Sequence, residues 1–211
     1  MTTDIFALFD QIGASSRAPA GPVTHLVVGL GNPEPQYAGT RHNAGFVCLD
    51  ALARAAGVRV TNAKFRSLVS DATVSGKHVL LMKPQTLMNA SGLAVAEAAK
   101  FYRIPPEHII VLCDDIHFAV GHARIRLRGS HGGHNGLRSI ESCLSSEDYI
   151  RLRVGVGQKP SPEYDLADWV LGRFPAEELR TLTEQVAPAM AEAVTLILAG
   201  KPEDAMTRFS K

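Results

Sequence analysis

Between Gly29 and Gly45 the chain reads Gly-Leu-Gly-Asn-Pro-Glu-Pro-Gln-Tyr-Ala-Gly-Thr-Arg-His-Asn-Ala-Gly. A short apolar run, His25-Leu-Val-Val, precedes this loop, and a segment with helical spacing, Phe46 to Ala56, follows it. Strand, Gly/Pro-rich loop, helix is the building unit of open α/β sheets. It places the loop at the carboxyl end of the strand, where such sheets bind their ligands. The loop also holds Asn32, Tyr37, Thr40, Arg41, His42 and Asn43, a polar density that a simple connector does not need.

Two chemistries compete for it. A dinucleotide site would use Gly29 and Gly31 after the strand and Asp50 about 20 residues on. Glu34 occupies the place of the third glycine, Pro33 and Pro35 oppose a tight turn directly into a helix, and a carboxylate there would repel a pyrophosphate. The alternative is a general-base site around His42, the one loop side chain that titrates near neutrality. A lone loop histidine is ordinarily just solvated, so its partners must come from elsewhere in the chain.

At 211 residues, with 45% hydrophobic and 20% charged residues, the chain is long enough for one α/β domain with a full core. The net charge of +1 means that a nucleic-acid partner must be held by a local patch. Cys48, Cys113 and Cys143 are odd in number and set among apolar residues, as expected of reduced core thiols and not of a disulfide framework. No apolar run approaches the roughly 18 residues of a spanning helix, and the first residues lack a signal-peptide core. The expectation is a soluble, cytoplasmic protein.

Residues 1–23 read as an N-terminal extension: a short helix capped by Thr3, with Ile5, Phe6, Leu8, Phe9 and Ile12 on one face, then a small-residue linker. Residues 24–211 read as one α/β domain. The first helix should end at Gly57, and Phe65–Val74 and Lys77–Met82 read as a hairpin around Ser75-Gly76. A second polar loop, Lys83 to Asn89, leads into a helix from about Ala90 to Tyr102. His108 to Cys113 is a continuous apolar strand of the kind buried on both faces, and it delivers Asp114 and Asp115 at its end. Arg124, Arg126 and Arg128 then alternate with apolar residues, as do Arg151 and Arg153 within a strand over Tyr149–Gly157. Such rows favour phosphate contact. Between them, Gly129 to Gly136 is a glycine-rich loop opening into a helix to about Leu144. Leu166 to Gly172 is a short apolar piece, and Pro175 starts the longest helix, with a kink expected at Pro188.

Polar clusters therefore stand at element junctions: Asn32 with His42, Met88-Asn89, Asp114, and His134-Asn135. A carboxylate that accepts a hydrogen bond from one imidazole nitrogen fixes the tautomer and raises the basicity of the other. Asparagine amides can bind a carbonyl or a developing oxyanion without adding charge.

Five motifs carry a resemblance: Gly29-Leu-Gly-Asn-Pro with Tyr37, Thr40-Arg-His-Asn-Ala-Gly45, Leu87-Met-Asn-Ala-Ser-Gly92, Gly132-Gly-His-Asn-Gly136, and Arg151-Leu-Arg-Val-Gly-Val-Gly157. In this order they closely resemble the bacterial peptidyl-tRNA hydrolases, over roughly residues 24 to 205. The resemblance implies a single α/β domain with a twisted mixed β-sheet flanked by helices, a monomer, and neither metal nor cofactor. It implies hydrolysis of the ester between a peptide and the 3′ end of tRNA, recycling products dropped by ribosomes, with no membrane partner. Residue by residue, it makes His42 the base that activates water and Asp114 its orienting carboxylate. Asn32, Asn89 and Asn135 become the amides that bind the peptide, the tRNA end and the reacting carbonyl. Tyr37 and Met88 become walls of the peptide channel, and Arg126 and Arg153 the pair that grips the tRNA 5′-phosphate. The chain departs from the usual pattern at Glu34, Leu87, His117 and Ala119.

Other chemistries fit less well. A metal site from His131 and His134 with His122 or Asp114 lacks fixed helical spacing. Cys113 as nucleophile falls on the strand face opposite Asp114, and no Gly-x-Ser-x-Gly elbow exists. A relative that binds RNA without turnover would have no need of both His42 and Asp114.

Overall fold

A computed structural model of the chain describes residues 21–210. The expected capped helix at Thr3 lies outside the described residues. Seven strands form one mixed sheet: β1 His25–Gly29, β2 Asn62–Lys64, β3 Ser67–Val74, β4 Lys77–Pro84, β5 Ile109–Asp115, β6 Ala123–Arg126 and β7 Ile150–Gly155. Their spatial order is β2-β3-β4-β1-β5-β7-β6. The four central strands β4, β1, β5 and β7 run parallel, and antiparallel partners close both edges. The single α/β domain with a mixed sheet is therefore as expected.

Helices cover both faces. One apolar layer packs α1 (Ala44–Ala55) and α6 (Ala187–Leu198) against Val27, Leu81, Ile110 and Leu112. The other packs α2 (Ser91–Tyr102) and α3 (Asn135–Leu144) against Leu26, Val28, Val111 and Cys113. Alternate residues of β5 thus enter opposite layers, and the whole strand is buried. Because the central strands point the same way, the loops after β1, β4 and β5 converge at one end of the sheet. The chain leaves β1 toward β4 and returns past it to β5, so the crevice between the β1 and β5 ends is a topological switch point.

Two glycines permit this convergence. A Cβ at Gly45 would collide with the Leu112 carbonyl and the Leu30 backbone, so only glycine lets α1 start against β1 and β5. A Cβ at Gly92 would run into the Ser139 carbonyl, where α2 and α3 touch and the Gly92 N–H donates to Ser139 Oγ at 2.9 Å.

Local departures have physical reasons. The hairpin at Ser75-Gly76 is present, both residues having positive φ as a tight two-residue turn requires. A second such turn, Phe65-Arg66 with φ of 52° and 51°, joins the short β2 to β3, so the strand expected from Phe65 begins at Ser67. Phe65 adopts this unfavourable conformation while its ring is buried beside Phe101 and Tyr102. The long C-terminal helix is built of α5 (Ala176–Thr181), a π-helical turn Leu182–Val186, and α6. Pro188 has no N–H for the Glu184 carbonyl, and the wide turn before it absorbs the break. Leu166–Leu171 forms helix α4, capped by Asp165, whose carboxylate accepts from the Asp168 N–H at 3.0 Å, and Pro202–Phe209 forms α7. Among the described residues, no helix is long and apolar enough to cross a membrane.

Candidate active site

His42 sits on the 3₁₀ turn Arg41–Asn43 that leads into α1. Its neighbours hold this turn firmly. Arg41 is buried, donates to the Arg173 carbonyl at 3.0 Å and to Glu178 at 2.9 Å, and stacks 4.0 Å from the Trp169 ring. Asn43 reaches back across the loop: its amide oxygen accepts from the Asn32 N–H at 2.8 Å and its amide nitrogen donates to the Asn32 carbonyl at 3.0 Å. Asn32 is fixed in turn, since its Oδ1 accepts from the Met88 N–H at 2.9 Å. A backbone N–H can only donate, so the atom facing it is the oxygen. The Asn32 Nδ2 is therefore left as a donor in the cleft that Asn32 lines. One asparagine thus joins the loops after β1 and β4.

Asp114, at the end of β5, is buried and accepts two imidazoles on one oxygen: His42 Nδ1 at 2.8 Å and His134 Nε2 at 2.9 Å. His134 also caps α3, its Nδ1 accepting from the Gly136 and Leu137 N–H groups at 3.1 and 3.3 Å. That assigns its proton to Nε2 and makes it a donor to Asp114. His42 donates through Nδ1 and keeps Nε2 as its basic atom.

Burial is the largest single influence on the His42 pKa and pulls it down. The Asp114 charge and hydrogen bond together outweigh that pull and raise it above the ordinary 6.5. Burial likewise opposes ionisation of Asp114, but the two imidazoles hold its carboxyl well below the usual carboxylate range. The pair is an imidazole poised to take a proton beside a carboxylate that stays ionised.

The donor atoms of His42, Asp114 and His134 also lie within 4.8 Å of one another, a set capable of ligating a metal. Two ligands of one zinc ion, each about 2.0–2.2 Å from it in tetrahedral array, stand roughly 3.3–3.6 Å apart. The observed 2.8 and 2.9 Å are direct hydrogen bonds, and they use the atoms a metal would need. His131 is engaged separately, its Nδ1 accepting from the Gly133 N–H at 3.0 Å.

A cleft of about 470 Å³ opens over the pair. Asn32, His42, Met88, Asn89, Asp114, Asn135 and Arg153 all line it, whereas Tyr37 does not. Tyr37 ends a neighbouring 3₁₀ turn, where its carbonyl accepts from Thr40 Oγ1 at 2.8 Å. Leu87, Leu166, Val170 and Leu171 give the cleft an apolar wall. Glu34 has φ −69° and ψ 144°, an ordinary extended conformation, so the loop does not need glycine there.

A second cleft of about 510 Å³ adjoins the first and shares Asp115, His117, Gly132 and Arg153 with it. Arg124, Arg126 and Arg128 are exposed along its border. Arg153 donates through Nε to Asp115 Oδ2 at 2.7 Å and through Nη1 to the His131 carbonyl at 3.3 Å. Arg151 corrects the sequence reading of a shared arginine row. It is 1% exposed, lies over the Tyr149 ring at 3.8 Å, and donates to Glu141 at 3.1 Å and to the Tyr149 carbonyl at 2.9 Å. It is a core residue. The cysteines are corrected in part as well: Cys48 and Cys113 are buried, and Cys143 is exposed on α3. Burial pushes the Cys48 thiol up to about 12 and the Cys113 thiol higher still, which leaves both unreactive.

An ionised carboxylate orienting a basic imidazole, with an amide donor in the same cleft, is an arrangement able to activate water for hydrolysis. Residues 26–211 match the family model described as peptidyl-tRNA hydrolase, and the chain belongs to that family. It is 48% identical over 186 residues to a peptidyl-tRNA hydrolase of Caldanaerobacter subterraneus subsp. tengcongensis, covering 88% of this chain and 99% of the relative. It is 45% identical, over 88% of this chain and 98% of the relative, to one from Carboxydothermus hydrogenoformans. Among solved structures, the peptidyl-tRNA hydrolase of Acinetobacter baumannii superimposes with a TM-score of 0.81 at 37% identity, covering 89% of this chain and 95% of that one.

Proposed function

We propose that the chain hydrolyses the ester joining a peptide to the 3′ end of tRNA, as a cytoplasmic monomer that recycles peptidyl-tRNA. Family membership supports the reaction, and the shared hydrogen bond of His42 and Asp114 carries the mechanism. His42 Nε2 takes a proton from water, and the hydroxide adds to the ester carbonyl. The oxyanion receives the Asn32 Nδ2–H, the donor that the Met88 N–H leaves unpaired. As the C–O bond breaks, the proton on His42 passes to the departing ribose oxygen. Asp114 remains ionised throughout and forms no covalent bond.

Asn89 and Asn135, both exposed and lining the cleft, hold the peptide amide and the tRNA terminus in this reading, with Met88 and the leucines beside the peptide. Arg126 and Arg153 border the adjoining cleft, where the 5′-phosphate would sit. The test is direct: purified protein is mixed with an N-blocked aminoacyl-tRNA, and release of free tRNA is measured with and without His42. Intact substrate with the wild-type protein, or equal release by His42→Ala, overturns the reading.

A further inference from the structure

The two clefts meet at a residue with no part in the mechanism above. His117 lines both of them, together with Asp115, Gly132 and Arg153. Its backbone N–H and its ring Nδ1 both donate to the same oxygen, Asp115 Oδ1, each at 2.8 Å. A carboxylate oxygen only accepts, so the ring proton is on Nδ1 and the neutral ring presents its lone pair at Nε2. The other Asp115 oxygen is taken by Arg153 Nε at 2.7 Å. The buried carboxylate is thereby engaged on both oxygens and orients two side chains that line the junction.

This is an unusual way to treat a surface residue. The His117 side chain is 65% exposed while the carboxylate that holds it is 3% exposed. Immobilising an exposed side chain costs rotamer entropy without the return of burial. The chemistry around it shows what such an atom adds. Arg124, Arg126, Arg128 and Arg153 offer only N–H donors, which suit phosphate oxygens. RNA also carries donors of its own, the ribose 2′-hydroxyls and the exocyclic amines of unpaired bases, and these need acceptors. With Asp115 engaged, the acceptors left among the described side chains of this cleft are Ser130 Oγ and His117 Nε2.

We propose that His117 Nε2 accepts a hydrogen bond from a donor, a ribose 2′-hydroxyl or a base amine, on the unpaired 3′ nucleotides of the substrate. Those nucleotides cross this junction if the 5′-phosphate lies in the arginine cleft and the ester in the reaction cleft, so the inference rests on the function proposed above. His117 is in this sense a specificity residue, selecting RNA by a feature other than charge.

The experiment measures Kd for a tRNA carrying its aminoacyl group through an uncleavable 3′-amide, using the full chain. His117→Ala and His117→Lys, which remove the acceptor, are expected to weaken binding roughly three- to tenfold, the usual range for one hydrogen bond. His117→Gln, which restores an acceptor, should recover most of it. Single 2′-deoxy substitutions, and base analogues lacking the amine, at each unpaired position tell the two donors apart. One of them should reproduce the His117→Ala loss in the wild type and add nothing in the variant. If His117→Lys binds as tightly as the wild type with a steeper salt dependence, the contact is to phosphate and the proposal is wrong. Unchanged binding by His117→Ala also overturns it. Wild-type protein that fails to bind the analogue at all would instead sink the substrate reading, and this inference with it.

Discussion

The two adjoining clefts do opposite things with charge. In the reaction cleft the central ionisable cluster is buried and committed: Asp114 is 2% exposed, and both of its imidazoles are fixed by hydrogen bonds. In the arginine cleft Arg124, Arg126 and Arg128 stand in solvent. Burial strengthens a short hydrogen bond and shields it from salt, which suits proton transfer. Exposure leaves cations free to release counterions on meeting a polyanion, which suits fast, adjustable capture. On the proposed function, chemistry and grip are thus separated by solvation.

Removing the base should break the first half of this contrast most sharply. His42→Ala is expected to lower kcat by about 10²–10⁴-fold, the usual contribution of a positioned base, while tRNA still binds. Turnover and a filter-binding assay on the same preparation check it, and near-normal kcat would refute the assignment. Asp114→Asn should follow, with a smaller loss and a diagnostic pH shift. His42 is a base only above its folded pKa, which is raised above 6.5, so the acid limb of wild-type kcat lies above that pH. The substitution removes the charge that raises the pKa and leaves the burial that lowers it. The limb should therefore move to lower pH, and an unmoved limb would count against the pair.

Asn43→Ala tests the scaffold beneath the cleft. It strips partners from the buried N–H and carbonyl of Asn32, each loss costing about 1–3 kcal/mol, so a lowered Tm and a drop in kcat are expected together. The smallest effect belongs to the exposed side. Arg126→Ala should raise KM for intact peptidyl-tRNA and reduce the salt slope of log K by about 0.7–0.9, with kcat moving far less. If kcat falls as much as KM rises, the two clefts are not the separate devices described here.

Much of this was legible in the sequence, for identifiable reasons. The apolar run of β5, the Gly29–Gly45 loop and the Ser75-Gly76 turn follow from patterning and glycine chemistry, and they bring His42 and Asp114 to one end of the sheet. The Phe65-Arg66 turn was not legible, because nothing in two bulky residues marks a positive φ that tertiary packing imposes. Alternation put Arg151 on a strand face but could not show that Glu141 and Tyr149 would close over it. His134 was visible as part of a junction cluster. Its bond to Asp114 depends on how α3 docks, a matter of three-dimensional packing and not of spacing along the chain. Tyr37 belongs to a matching motif but is not among the residues that line the cleft.

Asp114 and Asp115 are consecutive residues on one strand; the first lines the reaction cleft and the second lines both clefts. The first holds the base and the second holds Arg153 and His117. Successive Cα atoms are 3.8 Å apart along the chain, with no hinge between them. On the proposed function, the protein then acts as a ruler whose fixed division is β5: the carboxylate behind the base and the carboxylate behind Arg153 cannot move apart. A tRNA whose unpaired 3′ end is one nucleotide too long or too short would present one end correctly only by misplacing the other.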